Sequence, residues 1–294
     1  MMKSYVLITA GHNEGNLIHY PVESVLSQSY LPARWVIVSD GSTDDTDDIV
    51  RKYAEKNSFI RYCRLEKDSR NKGFESKVVA LRHAYNCLKG KNYDYIGVLD
   101  ADISFCDRYF ENILEEFIKN GKLGIAGGYI YEPDRNGVFS PRSHNRERSV
   151  SGAVQMFRRE CYEKIGGLKP IIYGGEDTYA EILARTFGWE VRSFPEYNVF
   201  HHKPGYLKRG LWKERIREGK LDYVLGNFTI YEIMKFFRRM HEYPFIIGSF
   251  ARLSGYFLAS MMREDKIPPP HILRNIRSEQ WHILLNLFHN HGAT

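Results

Sequence analysis

A chain of 294 residues, of which 43% are hydrophobic, can form one large domain, or a core domain with an appendage, around a packed core. The formal net charge of +6 favours ligands that carry phosphate, or an anionic membrane surface. The charge is spread along the sequence, which gives nucleic-acid binding little support. Four cysteines without close-paired spacing argue against a disulfide scaffold and favour reduced thiols in a cytosolic protein.

The N-terminus has only a short apolar run before His12, Asn13 and Glu14. Such a run is too short for the core of a signal peptide, so we expect the chain to stay in the cytoplasm. A membrane-spanning helix needs roughly 20 uninterrupted apolar residues. The nearest approach in this sequence, residues 245–262, is interrupted by Arg252.

Short apolar runs alternate with helical periodicities through the first 120 residues. Strands are predicted at 5–10, 34–39, 59–64 and 95–99, and helices at 18–26, 49–54, 77–88 and 109–119. This alternation predicts an α/β fold with a Rossmann-like, mostly parallel sheet and helices on both faces. Ligands of such sheets bind at the carboxyl ends of the strands, here near Ala10, Asp40 and Asp100.

The apolar run 95–99 ends in two carboxylates, Asp100 and Asp102, separated by one residue. Side chains two apart on a strand point to the same side, so both carboxylates can address one point in space. Hard divalent cations such as Mg²⁺ and Mn²⁺ prefer oxygen ligands of this kind. The alternative is an acidic loop that caps the next helix.

Five motifs occur in the order and approximate spacing of a known enzyme family. They are Thr9-Ala-Gly-His-Asn-Glu14, Ser39-Asp-Gly-Ser-Thr-Asp44, Lys77-Val-Val-Ala-Leu81, Asp100-Ala-Asp102 and Glu176-Asp177. Over residues 1–205 the chain resembles the inverting family 2 glycosyltransferases, which have the GT-A fold. No Gln-x-x-Arg-Trp sequence follows Asp177, which favours a non-processive member of the family over a processive polysaccharide synthase.

The resemblance implies a site for a nucleotide sugar. It gives Asp40 the role of hydrogen-bonding the base, commonly uracil, and makes Thr9 and Glu14 nucleoside contacts. Lys77 corresponds to a lysine that offers a positive charge near the diphosphate, although a solvated lysine at a helix start is an alternative. Asp100 would touch the ribose or the metal ion.

The metal set is completed by a histidine in the family pattern. Two short strands are predicted at 191–194 and 198–200, and His201 and His202 follow the second. A neutral imidazole is a suitable ligand for Mn²⁺ beside Asp100 and Asp102. Adjacent residues of a strand point to opposite faces, so one of the two histidines reaches the metal, and we favour His201. A histidine that packs or hydrogen-bonds is the alternative.

Asp177 follows two glycines and begins a predicted helix. An aspartate at this position can simply cap the helix. The resemblance makes it the general base that removes the proton from the acceptor hydroxyl.

Two further segments carry predictions. Residues 132–148 are polar and are predicted to form a long loop. Residues 206–294 are predicted to form a helical extension, with helices at 231–237, 245–262 and 271–288, and a stripe of small residues in the second helix is expected to allow close packing. This extension is either a soluble appendage or a peripheral membrane attachment at the inner face of the cytoplasmic membrane.

The sequence therefore predicts an Mn²⁺- or Mg²⁺-dependent inverting glycosyltransferase. We expect it to use a nucleotide-diphosphate sugar, with UDP favoured, and a hydroxyl of a glycan or a lipid-linked acceptor. The alternatives are a non-catalytic glycan- or nucleotide-binding assembly protein and a sugar-phosphate nucleotidyltransferase. A nucleotidyltransferase would need a glycine-rich phosphate-binding loop at the position that His12, Asn13 and Glu14 occupy.

Overall fold

The fold is described from a computed structural model, which covers residues 3–66, 74–143, 145–203, 210–241 and 245–290, with side chains to residue 285. The chain divides into two compact units, Met1–Leu207 and Lys208–Thr294. The predicted boundary at residue 205 falls within 204–209, which lie outside the described residues.

Nine strands of the first unit form one mixed sheet in the order β3-β2-β1-β4-β8-β6-β9-β5, with β7 added beside β6. The strands are β1 (Tyr5–Gly11), β2 (Arg34–Asp40), β3 (Ile60–Leu65), β4 (Tyr95–Leu99), β5 (Ile103–Phe105), β6 (Leu123–Pro133), β7 (Phe139–Pro141), β8 (Val154–Arg158) and β9 (Glu190–His201). The helices of this unit are α1 (His19–Leu26), α2 (Thr46–Lys56), α3 (Glu75–Asn86), α4 (Tyr109–Lys119), α5 (Arg159–Lys164) and α6 (Glu176–Thr186).

The predicted α/β fold is confirmed, and its first half is parallel as expected. Strands β3, β2, β1 and β4 run parallel, whereas β8 is antiparallel to both β4 and β6. The sheet is therefore mixed rather than mostly parallel beyond β4. From β1 the chain adds β2 and β3 on one side and then returns to add β4 on the other side of β1. The carboxyl ends of β1 and β4 therefore lie where the strand order changes direction, which is the usual ligand-binding position in such sheets.

Alternating side chains of the central strands are buried on both faces of the sheet. Tyr5 and Leu7 belong to one apolar core together with residues of α1 and α4. Val6 and Ile8 point to the opposite face and are equally buried. Helix α3 contacts strands β1 and β2 of the same sheet. Because both faces are covered, polar groups gather at the strand ends.

Three local predictions were wrong in detail. Asp100 and Asp102 lie in the turn between β4 and β5, so the turn and not strand alternation brings them together. The predicted loop 132–148 contains β7, which pairs with the end of β6 as a hairpin. The two short strands predicted near 191–200 are one strand, β9, because the chain continues past Pro195 through a bulge opposite Gly128 and Tyr129.

The second unit contains four helices among its described residues. They are α7 (Leu211–Val224), α8 (Thr229–Arg238), α9 (Phe245–Met261) and α10 (Pro270–Asn290). Within the described residues, these helices and those of the first unit fall short of the length and continuous apolarity needed to cross a bilayer.

Arg252, which interrupts the apolar sequence of α9, is paired with acidic side chains of α7. The Arg252 guanidinium contacts Asp222 and Glu218 of α7, each at 2.6 Å, and Lys235 of α8 contacts Asp222 at 2.7 Å. A buried charge is stable only when it is paired in this way. These ion pairs join α7, α8 and α9 within the second unit.

Small residues allow α7 and α9 to approach closely, as the stripe in the sequence predicted. A Cβ atom on Gly255 of α9 would lie 2.1 Å from the carbonyl oxygen of Ile216, and one on Gly219 of α7 would lie 1.8 Å from the carbonyl oxygen of Arg252. Both neighbours are backbone atoms, which cannot rotate away. The two helices therefore pack backbone against backbone.

We expect Gly255→Ala to destabilise the second unit although alanine is the better helix former. Helix propensity alone would stabilise the variant by about 1 kcal/mol, whereas forced separation of tightly packed elements costs about 1–3 kcal/mol. Urea unfolding measures the net sign. Gly121→Ala is the matched control, because a Cβ there meets open space, and equal or greater stability of Gly255→Ala would contradict the packing argument.

Candidate active site

The turns after β1 and β2 are bonded to each other at the carboxyl edge of the sheet. The Gly15 amide donates to Asp44 at 3.0 Å, and the Glu14 amide donates to the Thr46 hydroxyl at 2.8 Å. Asp44 also accepts a hydrogen bond from the amide of Thr46, the first residue of α2, at 3.1 Å. This network fixes one wall of the candidate site.

Asp40 ends β2 beside the first turn of α3. Its carboxylate accepts a hydrogen bond from the Ser76 hydroxyl, and its carbonyl oxygen accepts one from His12 Nδ1 at 2.7 Å. The side chain is half-buried and lies at the strand end, where the sequence predicted the base contact. Ser76 was not identified from the sequence.

Thr9 does not face the site. Its side chain is fully buried and accepts a hydrogen bond from Trp35 Nε1 at 3.0 Å. Thr9 follows Ile8 in the interior of β1, before the strand reaches its end. The side chain therefore offers no surface to a nucleoside, unlike Glu14 in the turn that follows.

The predicted metal set comes together. Asp100, Asp102 and His201 each present a ligand atom, and all of these atoms lie within 4.8 Å of one another. Pairing of β5 with β9 puts Ile103 opposite His201, which brings the end of β9 back to the Asp100–Asp102 turn. Two carboxylates and an imidazole are a donor set that suits Mn²⁺.

The two adjacent histidines point to opposite sides, as strand geometry requires. His201 Nε2 lies 3.3 Å from Asp102. His202 instead stacks on Tyr20, with ring centroids 3.6 Å apart, and its Nε2 hydrogen-bonds the Ser104 hydroxyl at 2.8 Å. The geometry thus favours His201 over His202 as the third ligand.

Glu132, at the end of β6, was missed in the sequence. Its carboxylate lies 3.6 Å from His201 Nδ1, a nitrogen that is buried and has no hydrogen-bond partner, and it also pairs with Arg142. A carboxylate behind a histidine is the usual means of orienting a metal-binding imidazole. Its signal in the sequence was an acidic residue at the end of a long apolar strand.

Carboxylates on both sides of His201 favour its protonated form while no cation is bound. Burial alone would lower the pKa of His201, but the neighbouring carboxylates of Asp102 and Glu132 outweigh burial and raise the pKa to about 9. Burial likewise would raise the pKa of Asp102, and the neighbouring His201 lowers it instead. The imidazolium therefore supplies a positive charge at the position where a divalent cation would lie.

Lys77 lies among acidic side chains from two different elements. Its ammonium group is 2.6 Å from Asp100 and 3.9 Å from Glu176, the first residue of α6. Burial would lower the pKa of Lys77, but Asp100 and Glu176 raise it. The alternative of a solvated lysine is thereby wrong, and Glu176 joins the site as a residue to which the sequence had given no role.

A second lysine neutralises Glu14. Lys203, two residues after His201, lies 2.7 Å from the Glu14 carboxylate. Burial raises the pKa of Glu14 despite this partner. Lys203 had no assigned role in the sequence, where it follows the pair of histidines.

One short segment connects Asp177 to the metal set. The Asp177 carboxylate accepts a hydrogen bond from the Gly152 amide at 3.0 Å, and the next residue, Ala153, accepts one from the Asp100 amide at 2.9 Å. A Cβ on Gly152 would lie 2.7 Å from the Asp177 carboxylate, so glycine is needed for this approach. Asp177 is half-buried, at the second position of α6.

A second carboxylate of α6 holds the same segment. Glu181, one helical turn after Asp177, accepts hydrogen bonds from the Val150 amide at 2.6 Å and the Ser149 hydroxyl at 3.2 Å. Burial raises the pKa of Glu181 to about 7, against the influence of Arg185. Glu181 therefore positions the segment 149–153, which contains Gly152.

With this geometry established, comparison with known proteins gives the family. The sequence model of the family described as glycosyl transferase family 2 matches residues 6–175, more than half of the chain. The chain belongs to glycosyl transferase family 2. The predicted family is thus confirmed. The matched range includes Asp40, Asp100 and Asp102, whereas Asp177 and His201 follow it.

Curated relatives include two polysaccharide synthases. The chain is 27% identical over 239 residues to a poly-beta-1,6-N-acetyl-D-glucosamine synthase of Staphylococcus epidermidis, covering 75% of this chain and 55% of that protein. It is 24% identical over 251 residues to the protein of that name from Staphylococcus aureus, covering 77% and 57%. The chain thus spans little more than half the length of these relatives.

Two solved structures share the fold at low sequence identity. A mannosyltransferase from Pyrobaculum calidifontis in complex with GDP-Man and Mn²⁺ has a TM-score of 0.55 and 16% identity, over 97% of this chain and 81% of that one. TarS from Staphylococcus aureus in complex with UDP-GlcNAc has a TM-score of 0.57 and 15% identity, over 82% and 73%. These similarities confirm the predicted GT-A fold.

We predict that Glu181→Gln increases stability more at pH 8 than at pH 5. A carboxyl group whose pKa is raised on folding contributes stability below its unfolded pKa, and this contribution is lost as the pH rises through the folded value, here about 7. Neutral glutamine avoids that loss, and the difference between the two pH values should be on the order of 2 kcal/mol. Chemical unfolding at both pH values measures it.

Glu115→Gln is the control for this prediction, because Glu115 is half-exposed on α4. It should change stability by a similar, small amount at both pH values. A pH-independent effect of Glu181→Gln would contradict the raised pKa.

Proposed function

We propose that this chain transfers a sugar from a nucleotide-diphosphate donor, UDP-linked, to a hydroxyl group of a glycan or lipid-linked acceptor, with inversion at the anomeric carbon. The observation that carries the proposal is the bonding of Asp177 and Asp100 to one segment, Gly152–Ala153. A candidate base and a candidate metal set therefore lie at the same edge of the sheet. Family membership supports the reaction class.

The donor would bind along the strand ends. Asp40, fixed by Ser76, is proposed to hydrogen-bond the base, and Glu14 to contact the nucleoside. Lys77 would offset the charge of the diphosphate. The complexes of the two similar structures contain GDP-Man and UDP-GlcNAc, so nucleotide choice rests on the resemblance at Asp40.

Asp100, Asp102 and His201 would hold Mn²⁺ or Mg²⁺, with Glu132 orienting the imidazole. A bound divalent cation would offset negative charge on the departing nucleoside diphosphate. His201 must lose its proton to act as a ligand, and Asp102 is already ionised because His201 lowers its pKa. The donor set fits such an ion.

Asp177 is the proposed general base. Its carboxylate is oriented by the Gly152 amide and remains half-buried, with surface open to an incoming hydroxyl. Removing the hydroxyl proton as attack proceeds makes the oxygen a competent nucleophile. Attack opposite the departing diphosphate would invert the anomeric configuration.

Asp177→Asn should lower transfer by at least about 100-fold, the scale of a lost general base, while UDP and Mn²⁺ still bind. Asparagine keeps the acceptor oxygen for Gly152 but cannot take a proton. Asp102→Ala is the matched variant, which should lose the metal-dependent part of UDP binding. Titration calorimetry and a UDP-release assay measure both effects.

Full activity of Asp177→Asn would overturn the base assignment. Slow hydrolysis of a UDP-sugar without acceptor would support an enzyme over a non-catalytic binding protein. Binding without hydrolysis or transfer would favour the binding protein.

We further propose that the second unit attaches to an anionic lipid surface, which would present the lipid-linked acceptor. Helices α8 and α9 adjoin where Phe236 packs against Phe250, with ring centroids 4.8 Å apart. Large apolar side chains along α8, along α9 and at residue 262 are exposed: Ile230, Ile233, Phe237, Phe245, Ile246, Ile247, Phe250, Phe257, Leu258, Met261 and Met262. Arg238 and Arg263 are exposed near the ends of these helices and would favour anionic lipids.

The double substitution Phe250→Glu and Met261→Glu in the full chain should lower vesicle binding by at least about tenfold. Each large apolar side chain contributes about 1.5–3 kcal/mol on burial, and 1.4 kcal/mol corresponds to tenfold in affinity. Flotation with vesicles that contain phosphatidylglycerol measures the effect. The matched control, Leu31→Glu with Ile118→Glu, alters exposed apolar residues of the first unit, and an equal loss in both variants would contradict the attachment.

A further inference from the structure

Three side chains that can ligate a metal, and that the proposed transfer does not use, gather between β3 and α3. The sulfur atoms of Cys63 and Cys87 are 3.9 Å apart. With a ring nitrogen of His83, all three donor atoms lie within 4.8 Å of one another. All three residues are half-buried, which leaves the cluster open to solvent on one side.

Local structure explains why these residues meet. His83 and Cys87 are four residues apart at the end of α3, so they share one face of the helix. Cys63 lies within β3, the outermost strand on its side of the sheet, opposite Val38 of β2. The cluster thus joins an edge strand to the helix that follows it in the chain.

The sulfur separation fits a shared ion. Zn²⁺ binds cysteine sulfur at about 2.3 Å in tetrahedral geometry, which puts two sulfur ligands about 3.8 Å apart. A disulfide requires about 2.05 Å. The observed 3.9 Å is close to the first value and far from the second.

We propose that Cys63, His83 and Cys87 form a binding site for a thiophilic divalent cation, Zn²⁺, separate from the Asp100–Asp102–His201 set. Two sulfur atoms and one imidazole are a donor combination that selects Zn²⁺ over Mg²⁺ or Mn²⁺. On binding, both thiols release their protons to solvent, and the neutral imidazole donates its lone pair. The fourth position is left for water, as in zinc sites with three protein ligands.

The charge of the site is consistent with this ion. Burial and the neighbouring Cys87 raise the pKa of the Cys63 thiol, and Arg61, two residues before Cys63, offsets only part of this increase. Two thiolates neutralise the double charge of Zn²⁺. The bound cluster would thus add no net charge beside Arg61.

Binding there would hold α3 at its C-terminal end. The same helix carries Ser76 and Lys77 in its first turn, where they contact Asp40 and Asp100. An ion between β3 and α3 would therefore fix the helix whose other end forms part of the candidate nucleotide site. This role is structural, and it stands whether or not the chain transfers a sugar.

The test uses the full chain, freed of metal under reducing conditions and titrated with Co²⁺ in excess Mg²⁺. Co²⁺ reports thiolate ligation through a sulfur-to-metal charge-transfer band that carboxylate and imidazole ligands do not give. We expect one Co²⁺ per chain with this band, and its loss when Zn²⁺ is added. Cys63→Ser and Cys87→Ser should each weaken binding by more than about 100-fold, since losing even an outer-shell partner costs roughly 10–100-fold.

Matched variants separate this site from other sources of the signal. Cys106→Ser changes an exposed thiol, and His282→Ala an exposed histidine. Neither should alter the band, and Asp102→Ala should leave it in place because that residue belongs to the other metal set. His83→Ala should weaken binding while the thiolate band persists at high Co²⁺.

Three results would overturn the proposal. The first is a wild-type protein without the charge-transfer band, whose thiols at Cys63 and Cys87 react freely with an alkylating reagent in the presence of Zn²⁺. The second is a band that persists undiminished in Cys63→Ser and Cys87→Ser. The third is formation of a Cys63–Cys87 disulfide in air without Zn²⁺ binding by the reduced protein, which would replace the metal site by a redox pair.

Discussion

Carboxylates gathered at one edge of a sheet repel one another, and the first unit depends on the positive charges that lie between them. Lys77 contacts Asp100 and Glu176, and His201 lies between Asp102 and Glu132. These contacts join side chains from distant parts of the sequence. Removing one positive charge would leave a partly buried carboxylate without compensation, which is among the costlier changes in a folded protein.

The same compensation bears on the proposed ligands, which carry opposite charges. A divalent cation would replace the proton of His201, and phosphate groups would share Lys77 with Asp100. The acidic edge is thus not simply a negative patch. It is a mixed set of charges, in which His201 lowers the pKa of Asp102 and the carboxylates raise the pKa values of His201 and Lys77.

Much of the first unit could be predicted because its signals are local. The apolar run of β4 and the periodicity of α4 gave their exact or near-exact bounds. The direction of β8 could not be predicted, because the side-chain pattern of a buried strand is the same in parallel and antiparallel pairs. The predicted gap between residues 194 and 198 is absent, because β9 continues there through a bulge.

Residues proposed to contact the ligand directly could be predicted, because their types and spacing form a motif. Residues that only orient another side chain or a backbone segment were harder to predict. Asp102 and His201 stand out by type and spacing. Glu132 and Glu181 do not, since an acidic residue at a strand end or on a helix usually faces solvent. Thr9 was misjudged because its place in β1 decides where its hydroxyl points, and Trp35 is its partner only in the folded chain.

The segment Gly152–Ala153 determines how far Asp177 lies from the Asp100 turn. The Gly152 amide bonds to the Asp177 carboxylate, and the carbonyl of the next residue, Ala153, bonds to the Asp100 amide. Two adjacent residues of one backbone segment therefore set the spacing between Asp177 and the Asp100 turn. In the proposed reaction, the transferred group would have to fit within that spacing. Relatives that accept larger or smaller groups would then differ in how this stretch is supported, for example at the residue equivalent to Glu181, while keeping both carboxylates unchanged.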